Sequence, residues 1–171
     1  MRLKKLLKFK RRLKYQRFYA GVIIGLSGTA LMDIWTIFLK RGFEISPLNW
    51  AMVGRWVVHL KSGEVFHDDI AAARAFSSEK LVGWVFHYLV GLAYGVIFVL
   101  LIDEQWLSEP TFMPVYLYAI ATILAGWFLL HPGIGLGVAL SKTENPIKAR
   151  CMGLIAHSIF GLGMWFDAFA I

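Results

Sequence analysis

Four long apolar runs, each bounded by polar residues, set the organisation of the chain. They lie near residues 18–39, 81–102, 112–131 and 149–170. Each run has about the 20 residues that an α-helix needs to cross the hydrocarbon core of a bilayer. The pattern therefore predicts an all-α integral membrane protein, a four-helix bundle in up-down-up-down order.

The longest polar stretch, residues 40–80, separates the first two runs and contains one shorter apolar segment. That segment, residues 48–60, carries two tryptophans and is too short to cross a bilayer. We expect it to form a short interfacial helix that lies along one face of the membrane. The chain then divides into a basic juxtamembrane arm at 1–17 and a four-span membrane domain at 18–171, with no soluble second domain.

The second and fourth runs share a sequence frame. Residues 80–95 and 150–165 both carry a basic residue followed by Gly, His and Gly at intervals of four, which places these three on one face of a helix. A duplicated helical hairpin explains the match, with a pseudo-twofold axis along the membrane normal. Small residues in this pattern usually pack helices in lipid, so we expect a seam or a slot between the second and fourth spans. The four glycines are Gly83, Gly91, Gly153 and Gly161.

Four ionisable residues of the runs are candidates for a polar site, since a charge at the bilayer centre costs about 2.5–3.5 kcal/mol. They are Asp33, His87, His131 and His157. Along an up-down-up-down path all four come to the same half of the membrane, next to the two longer loops. Asp33 and His131 each follow a glycine by five residues, which suggests equivalent positions in the repeat. We expect a buried polar cluster in which Asp33 approaches His87 or His157, because a buried carboxylate needs a donor.

The third run ends at a histidine that precedes a proline. Proline disfavours helical geometry at the preceding residue and cannot donate to the hydrogen bonds of a helix. Because His131 stands directly before Pro132 and Gly133, we expect the third span to end or kink there. Such a break must be buried in protein or lie at a wet pocket. Further along, Asn145 and Pro146 indicate the cap and the first residue of the last helix.

Two sets of residues are candidates for binding. His87 and His157 are the candidate haem or metal ligands, since helical bundles hold such groups on facing helices. Four residues of the first loop are candidates to cap a pocket, although an ordinary solvated loop is the simpler explanation for them. These are Arg55, His59, His67 and Asp68. No catalytic residue is indicated, because Ser141 and Thr143 have no recognisable base partner.

Composition and charge agree with a lipid environment. The 171 residues are 58% hydrophobic and 17% charged, and nine of the 18 basic residues lie within residues 2–17. This arm is typical of a juxtamembrane topology signal that contacts anionic lipid, and we do not expect it to bind nucleic acid. We therefore place the N-terminus in the cytoplasm, followed by an uncleaved first span. The single cysteine, Cys151, excludes an internal disulfide.

Six short motifs connect the chain with a known family. They are MDIW at 32–35, PLNWAMVGRW at 47–56, GWVFHY at 83–88, HPGIGLG at 131–137, SKTENP at 141–146 and HSIFGLG at 157–163. In combination they resemble the small bacterial membrane proteins of domain of unknown function 2938 (DUF2938). The resemblance implies a multi-pass protein of the bacterial inner (cytoplasmic) membrane without an assigned activity.

Three functions are consistent with these features. The first is a non-enzymatic accessory subunit or small transporter, in which Asp33 is a proton- or cation-linked carboxylate and the partner is a second copy or another membrane subunit. The second is a redox protein that binds haem or a metal through His87 and His157. The third is an intramembrane enzyme that uses the polar cluster as acid and base on a lipid-like substrate. We favour the first.

Overall fold

A computed structural model describes the backbone of residues 2–170 and the side chains from Lys14 onward. The described residues are mostly helical and contain no strand, so the prediction of an all-α fold is confirmed. Four helices are long and apolar enough to cross a membrane. They are Lys14–Phe43, Glu79–Leu101, Phe112–Gly133 and Pro146–Ala168, and they overlap the four apolar runs of the sequence.

The helices are numbered along the chain. They are α1 (Arg2–Phe43), α2 (Trp50–His59), α3 (Glu79–Leu101), α4 (Glu104–Ser108), α5 (Phe112–Ala125), α6 (His131–Gly133) and α7 (Pro146–Ala168). The third long helix consists of α5, a π-helical stretch at Gly126–Leu130 and α6. As predicted, α7 begins at Pro146, and the side chain of Asn145 caps it.

The central helix of the arrangement is α1. It packs along α3 on one side and along α7 on the other, and α7 in turn packs along α5. Helices α3 and α5 hardly meet. Where they do, the Tyr118 hydroxyl donates to the Tyr94 carbonyl at 2.7 Å, and the Phe98 and Tyr118 rings lie 5.1 Å apart. Beyond Tyr94, towards the two longer loops, α3 and α5 leave a space between them.

Glycines of α1 allow its close contacts on both sides. A Cβ atom on Gly21 would lie 2.7 Å from the Cα atom of Val96 in α3. On the other side, a Cβ atom on Gly163 of α7 would lie 2.8 Å from the Cα atom of Gly28. These contacts run from backbone to backbone, as is usual for small residues on helices packed in lipid.

The four glycines of the repeated frame lie at helix contacts, but they do not form the expected seam between α3 and α7. Gly83 meets α2, and Gly91 meets the side chain of Thr29 in α1. Gly153 and Gly161 both meet α5. The seam is missing because α1 lies between α3 and α7. Gly91 and Gly153 instead border the space between α3 and α5.

The short apolar segment of the first loop is helical, as predicted. Its helix, α2, is capped by Asn49, whose side chain accepts a hydrogen bond from the Ala51 amide at 3.1 Å. It crosses the first turns of α3 so closely that a Cβ atom on Gly54 would overlap the Glu79 carbonyl. The helix is therefore packed into the fold, and its position at a membrane face stays a prediction.

Arg55 organises the first loop from a buried position, so a solvated loop does not explain it. The residue is 6% exposed. Its guanidinium donates two hydrogen bonds, of 2.9 and 3.0 Å, to the Glu79 carboxylate. It also donates to the backbone carbonyls of Ile70, Ala71 and Ala73. The bond to Glu79 raises the pKa of Arg55 above its ordinary value, although burial acts in the opposite direction. One side chain thus ties α2 and α3 to the loop between them.

The third long helix widens before its proline and ends shortly after it. In the π-helical stretch Gly126–Leu130, the His131 amide donates to the Gly126 carbonyl, five residues back. His131 keeps helical backbone angles (φ −63°, ψ −47°), and the helix ends at Gly133. The expected end at His131 is therefore displaced to Gly133. Pro132 has no amide to donate, and the wider turn accommodates its ring.

Arg17, the last residue of the basic arm, belongs to the packed part of the fold. Its guanidinium donates to the backbone carbonyls of Val99 and Ile102, the second at 2.6 Å. It also lies 3.8 Å from the Glu104 carboxylate. A cation that bonds the last carbonyls of a helix stabilises that end. The arm therefore contributes at least one residue to the end of α3, while its predicted contact with anionic lipid stays a prediction.

Candidate functional site

The space between α3 and α5 forms a cavity of about 770 Å³, which we call the chamber. Its walls are the loop-side halves of the four long helices, and Trp50 and Trp56 of α2 border it near the first loop. Residues 143–145 border it near the second loop. The structure brings the four predicted polar residues together on its walls. These are Asp33, His87, His131 and His157.

Asp33 and His87 meet across the contact between α1 and α3. Asp33 Oδ1 lies 3.0 Å from His87 Nε2, and the two residues are 8% and 7% exposed. The predicted approach of Asp33 to one of the histidines is thereby confirmed. Because a carboxylate oxygen only accepts, Nε2 carries the proton of this bond. One helical turn away, Gly91 packs against Thr29 and lets the two helices come together.

Aromatic rings from α2 and α3 hold the His87 imidazole in place. Trp50 lies against it, with ring centroids 4.1 Å apart and 31° between the ring planes. Trp84 and Tyr88 approach it nearly edge-on, at centroid distances of 5.8 and 5.5 Å. These rings fix the orientation of the imidazole and shield one side of it. The hydrogen bond to Asp33 is therefore made by a ring that has little freedom to turn away.

His157 has a different kind of partner. Its Nδ1 lies 3.0 Å from Thr122 Oγ1 and 3.0 Å from the Ala119 carbonyl, both in α5. A carbonyl oxygen only accepts, so Nδ1 carries the proton of that bond. In the neutral imidazole, Nε2 is then left as an acceptor. The second histidine of the frame is thus held by neutral groups.

The contacts of the two histidines pair different residues from those that the sequence match suggested. Each even-numbered span has a histidine that bonds the span before it: His87 bonds Asp33, and His157 bonds Thr122. The sequence echo matched Asp33 with His131 instead. That match is wrong as a structural equivalence, because His131 makes neither contact and lies further along the third long helix. Thr122 contacts His157 as Asp33 contacts His87.

Four buried polar atoms of residues that line the chamber have no hydrogen-bond partner among the described residues. They are Asp33 Oδ2, Trp35 Nε1, Trp127 Nε1 and His131 Nδ1. The indole nitrogens only donate, and the carboxylate oxygen only accepts. A buried polar group left without a partner costs about 1–3 kcal/mol, so such groups are rare. The residues that carry these four atoms all line the chamber.

Sequence reasoning missed three residues of this site: Trp35, Trp127 and Thr122. A tryptophan in an apolar run is expected to face lipid or the packed interior, which gives no reason to assign it a binding role. Thr122 did carry a signal, because it is the only serine or threonine of the third run. Its pairing with His157 depends on helix contacts that the sequence does not reveal.

The four loop candidates for a pocket cap do not line the chamber. His67 donates to the Gly133 carbonyl at 2.9 Å and so ties the first loop to the end of the third long helix. His59, at the end of α2, lies next to His67. Asp68 lies on the surface, 3.5 Å from the amino group of Lys142. Capping of the chamber by these residues is therefore wrong, and Trp50 and Trp56 border it instead.

The candidate haem or metal ligands lie on separate helices. His87 belongs to α3 and His157 to α7, with α1 packed between these two helices. Each has one ring nitrogen already bonded to the neighbouring long helix. Among the residues that the structure describes, no three histidine, cysteine or acidic side chains of the chamber have the spacing of a metal site.

Comparison with known proteins gives one result. A family model described as "Protein of unknown function (DUF2938)" matches residues 22–171. The matched region contains every residue of the chamber wall. No curated protein and no solved structure gives a significant match. Because the match covers most of the chain and agrees with the six sequence motifs, the chain belongs to the DUF2938 family of proteins of unknown function.

Proposed function

We propose that this protein is a non-enzymatic membrane protein that binds a small amphiphilic molecule in the chamber, as a small transporter or as the accessory subunit of a membrane complex. The observation that carries the proposal is the set of four unpaired polar atoms that belong to residues lining one cavity. A hydroxyl-bearing head group satisfies such a set, because it donates to Asp33 Oδ2 and accepts from an indole nitrogen.

The size and lining of the chamber fit this kind of ligand. Small-molecule sites are mostly apolar cavities of about 300–1,000 Å³ with a few polar groups, and the chamber has about 770 Å³. Glu144 and Lys148 provide a polar rim towards the second loop. Deeper in, Phe86, Ile123 and Phe160 contribute apolar walls for a hydrocarbon chain.

The Asp33–His87 pair gives the proposed ligand a link to protons or cations. Asp33 Oδ1 is bonded to His87, whereas Oδ2 is left for the ligand. A ligand that bonds Oδ2 therefore changes the environment of the whole pair. An ionisable group retained within a membrane-spanning segment is a functional candidate for this reason.

We also propose that the four long helices form an up-down-up-down bundle in the bacterial inner membrane, with the N-terminus in the cytoplasm and the basic arm on anionic lipid. Four suitably long helices and the family assignment support this. We propose further that the bundle arose by duplication of a helical hairpin. The shared Gly-His-Gly frames support the duplication, as do His87 and His157, which each bond the preceding span.

The test uses a brominated monoacylglycerol, whose bromine atoms quench tryptophan fluorescence at short range and whose head group carries hydroxyls. The full chain is placed in lipid nanodiscs and titrated with this probe. We expect saturable quenching, because Trp35, Trp50, Trp56 and Trp127 line the chamber. In Asp33→Asn we expect the apparent affinity to fall at least about tenfold, since the anionic acceptor is lost.

Asp167→Asn is the matched control. Asp167 is also a carboxylate of a long helix, but it bonds Ser27 and does not line the chamber. Its substitution should leave the quenching curve unchanged. Quenching that does not saturate in the wild type, or that is equally weakened in both variants, would contradict the proposal.

The Asp33–His87 pair favours one second candidate, an intramembrane enzyme that acts on a lipid-like substrate. A histidine oriented by a carboxylate is the usual arrangement of a general base. In that case His87 carries the proton transfer and Asp33 orients it. Incubation of the reconstituted protein with a bacterial lipid extract, followed by mass spectrometry, tests this. Lipid turnover that is lost in His87→Gln would establish the enzyme. If the lipids are unchanged, the binding function is favoured.

A further inference from the structure

Three side chains of the first loop bring potential metal-binding atoms together outside the chamber. His59 is the last residue of α2, and Glu64 and His67 follow it in the loop. His59 Nδ1 lies 3.4 Å from Glu64 Oε2 and 3.4 Å from His67 Nε2. The remaining separation, from His67 Nε2 to Glu64 Oε2, is 3.6 Å. We call these three residues the loop triad.

These separations fit metal ligands better than direct hydrogen bonds. Hydrogen bonds between nitrogen and oxygen are most often about 2.9–3.0 Å long. Around a tetrahedral zinc ion with bonds of about 2.0–2.1 Å, neighbouring ligand atoms lie about 3.3–3.4 Å apart. Three atoms at the separations of the loop triad have a common point about 2.1 Å from each of them, just outside their plane, which is the length of a zinc–nitrogen bond and leaves a fourth position on the open side.

His67 is already oriented as a metal ligand. Its Nδ1 donates to the Gly133 carbonyl at 2.9 Å, so in the neutral ring Nε2 has a free lone pair. That Nε2 is the atom next to His59 and Glu64. Metal-ligating histidines characteristically bond a backbone carbonyl or carboxylate through their second nitrogen. The side chain is 5% exposed, so this bond is protected from solvent.

The chain after α2 is shaped to turn back on the helix. Leu60–Ser62 forms a 3₁₀ turn that ends at Gly63, whose φ of +81° lies in the left-handed region. Glycine adopts this conformation without a steric penalty. The indole of Trp56 then donates to the Val65 carbonyl at 2.8 Å and holds the returning chain against α2. The position of the loop triad is therefore set by this glycine turn and by the bond from the indole to the Val65 carbonyl.

We propose that the loop triad binds one divalent transition metal of the zinc class. Two imidazole nitrogens and one carboxylate oxygen are a recurring zinc ligand set that leaves the fourth tetrahedral position open. The Glu64 side chain is 56% exposed, so this fourth position is accessible to water or to an anionic group. Through His67 and its bond to Gly133, the bound ion links the end of α2 to the end of the third long helix.

The experiment uses the full chain, purified through a tag without histidines and stripped with a chelator. It is titrated with Co²⁺, whose visible absorption is intense in tetrahedral coordination, and then with Zn²⁺. We expect one Co²⁺ per chain, displaced by one Zn²⁺, and a higher thermal unfolding midpoint with zinc bound. Removal of a second-sphere partner already weakens metal affinity about 10–100-fold, so we expect at least that loss in His59→Gln, His67→Gln and Glu64→Gln.

Asp68→Asn is the matched control, because Asp68 follows His67 directly but lies outside the loop triad. It should bind both ions like the wild type. The inference is overturned if the wild-type chain binds neither ion, or if Glu64→Gln binds both unchanged; Glu64 is exposed, so this variant keeps the fold. It is also overturned if His157→Gln loses the ion while His67→Gln keeps it, which would assign the metal to the chamber.

Discussion

The two halves of the chain place a histidine in the same frame and surround it with different chemistry. In the first half, His87 bonds the Asp33 carboxylate at 3.0 Å. In the second half, His157 bonds the Thr122 hydroxyl, also at 3.0 Å. A carboxyl group gains or loses a proton in the ordinary pH range, whereas a threonine hydroxyl does not. The first half therefore gives its histidine an acidic partner, and the second half gives its histidine a neutral one.

The two longer loops also differ in whether charged groups hold them in place. The first loop is held by the buried ion pair between Arg55 and Glu79. In the second loop, Arg150 donates to the Ala139 carbonyl at 2.7 Å, and Ala139 and Leu140 have φ angles of 48° and 63°. A buried ion pair holds the first loop, which has one non-glycine residue at positive φ, Glu44. In the second loop two consecutive residues adopt this conformation, which side chains rarely take. The two halves thus share a sequence frame but differ in the interactions around it.

The largest effect is expected from loss of the ion pair in the first half. Arg55→Met leaves Glu79 and several carbonyls without their partner, and breaking a buried pair in this way costs about 3–5 kcal/mol. The free energy of unfolding, measured by denaturant titration in detergent, should fall by that amount. Lys142→Met is the control, because the pair of Lys142 with Asp68 is exposed and should contribute little. Equal losses in both variants would contradict the contrast between the loops.

Matching glycines of the two frames should respond unequally to alanine. A Cβ atom at Gly83 would overlap the backbone carbonyl of Trp50, which cannot move aside. At Gly153 the nearest atom is Ile123 Cδ1, at 3.3 Å, the end of a flexible side chain. We expect Gly83→Ala to lower the free energy of unfolding by about 1–3 kcal/mol or more. Gly153→Ala should leave it unchanged or raise it by up to about 1 kcal/mol, because alanine favours the helix.

Asp33→Leu should affect ligand binding more than folding. The substitution removes a carboxylate oxygen that has no partner, and this offsets the lost bond to His87. We expect thermal stability to be equal or higher, together with a loss of monoacylglycerol binding of at least about tenfold, or about 1.4 kcal/mol. A leucine variant that is more stable and binds the probe fully would show that Asp33 is incidental.

Thr122→Val should have the smallest effect on probe binding. His157 keeps its bond to the Ala119 carbonyl, so the variant loses the bond between His157 and the hydroxyl and the bond from the hydroxyl to Ala119. Each neutral bond contributes about 0.5–1.5 kcal/mol to stability. Probe affinity should change less than about threefold, because this hydroxyl is already bonded within the protein. Fluorescence titration beside Asp33→Leu measures the difference. If both variants lose binding equally, the acidic and the neutral histidine partners do not differ in ligand binding.

The sequence predicts the long helices well because lipid imposes a simple requirement of length and apolarity. It also predicts the cap of α7 at Asn145 and the contact of Asp33 with a histidine. Which helices are neighbours is harder to predict. Gly21 and Gly28 of α1 lie at contacts as close as those of the repeated frame, and their spacing does not identify the opposing helix.

Contacts between residues that are far apart in the chain explain the remaining differences between the sequence predictions and the structure. Arg55 looks like an ordinary loop cation until Glu79, 24 residues away, is placed beside it. The four unpaired polar atoms are visible only once the walls of the chamber are assembled, since each belongs to an ordinary residue of an apolar helix. The expectation at His131 identified the right place, but it could not distinguish an end of the helix from a widened turn, because both relieve the same conflict with proline.

The π-helical stretch has a consequence for insertions and deletions. Its hydrogen bond from His131 to Gly126 spans one residue more than the bonds of an α-helix. Deletion of one residue within 126–130 therefore restores an uninterrupted α-helix without shortening α5. Because the wide turn takes up one extra residue, loss of that residue leaves the following ones in nearly the same rotational position. His131 therefore stays on the chamber wall, and the contact of Gly161 with Ala119 stays as well. One codon at this place decides whether the helix is widened before its proline, without moving the histidine to another side.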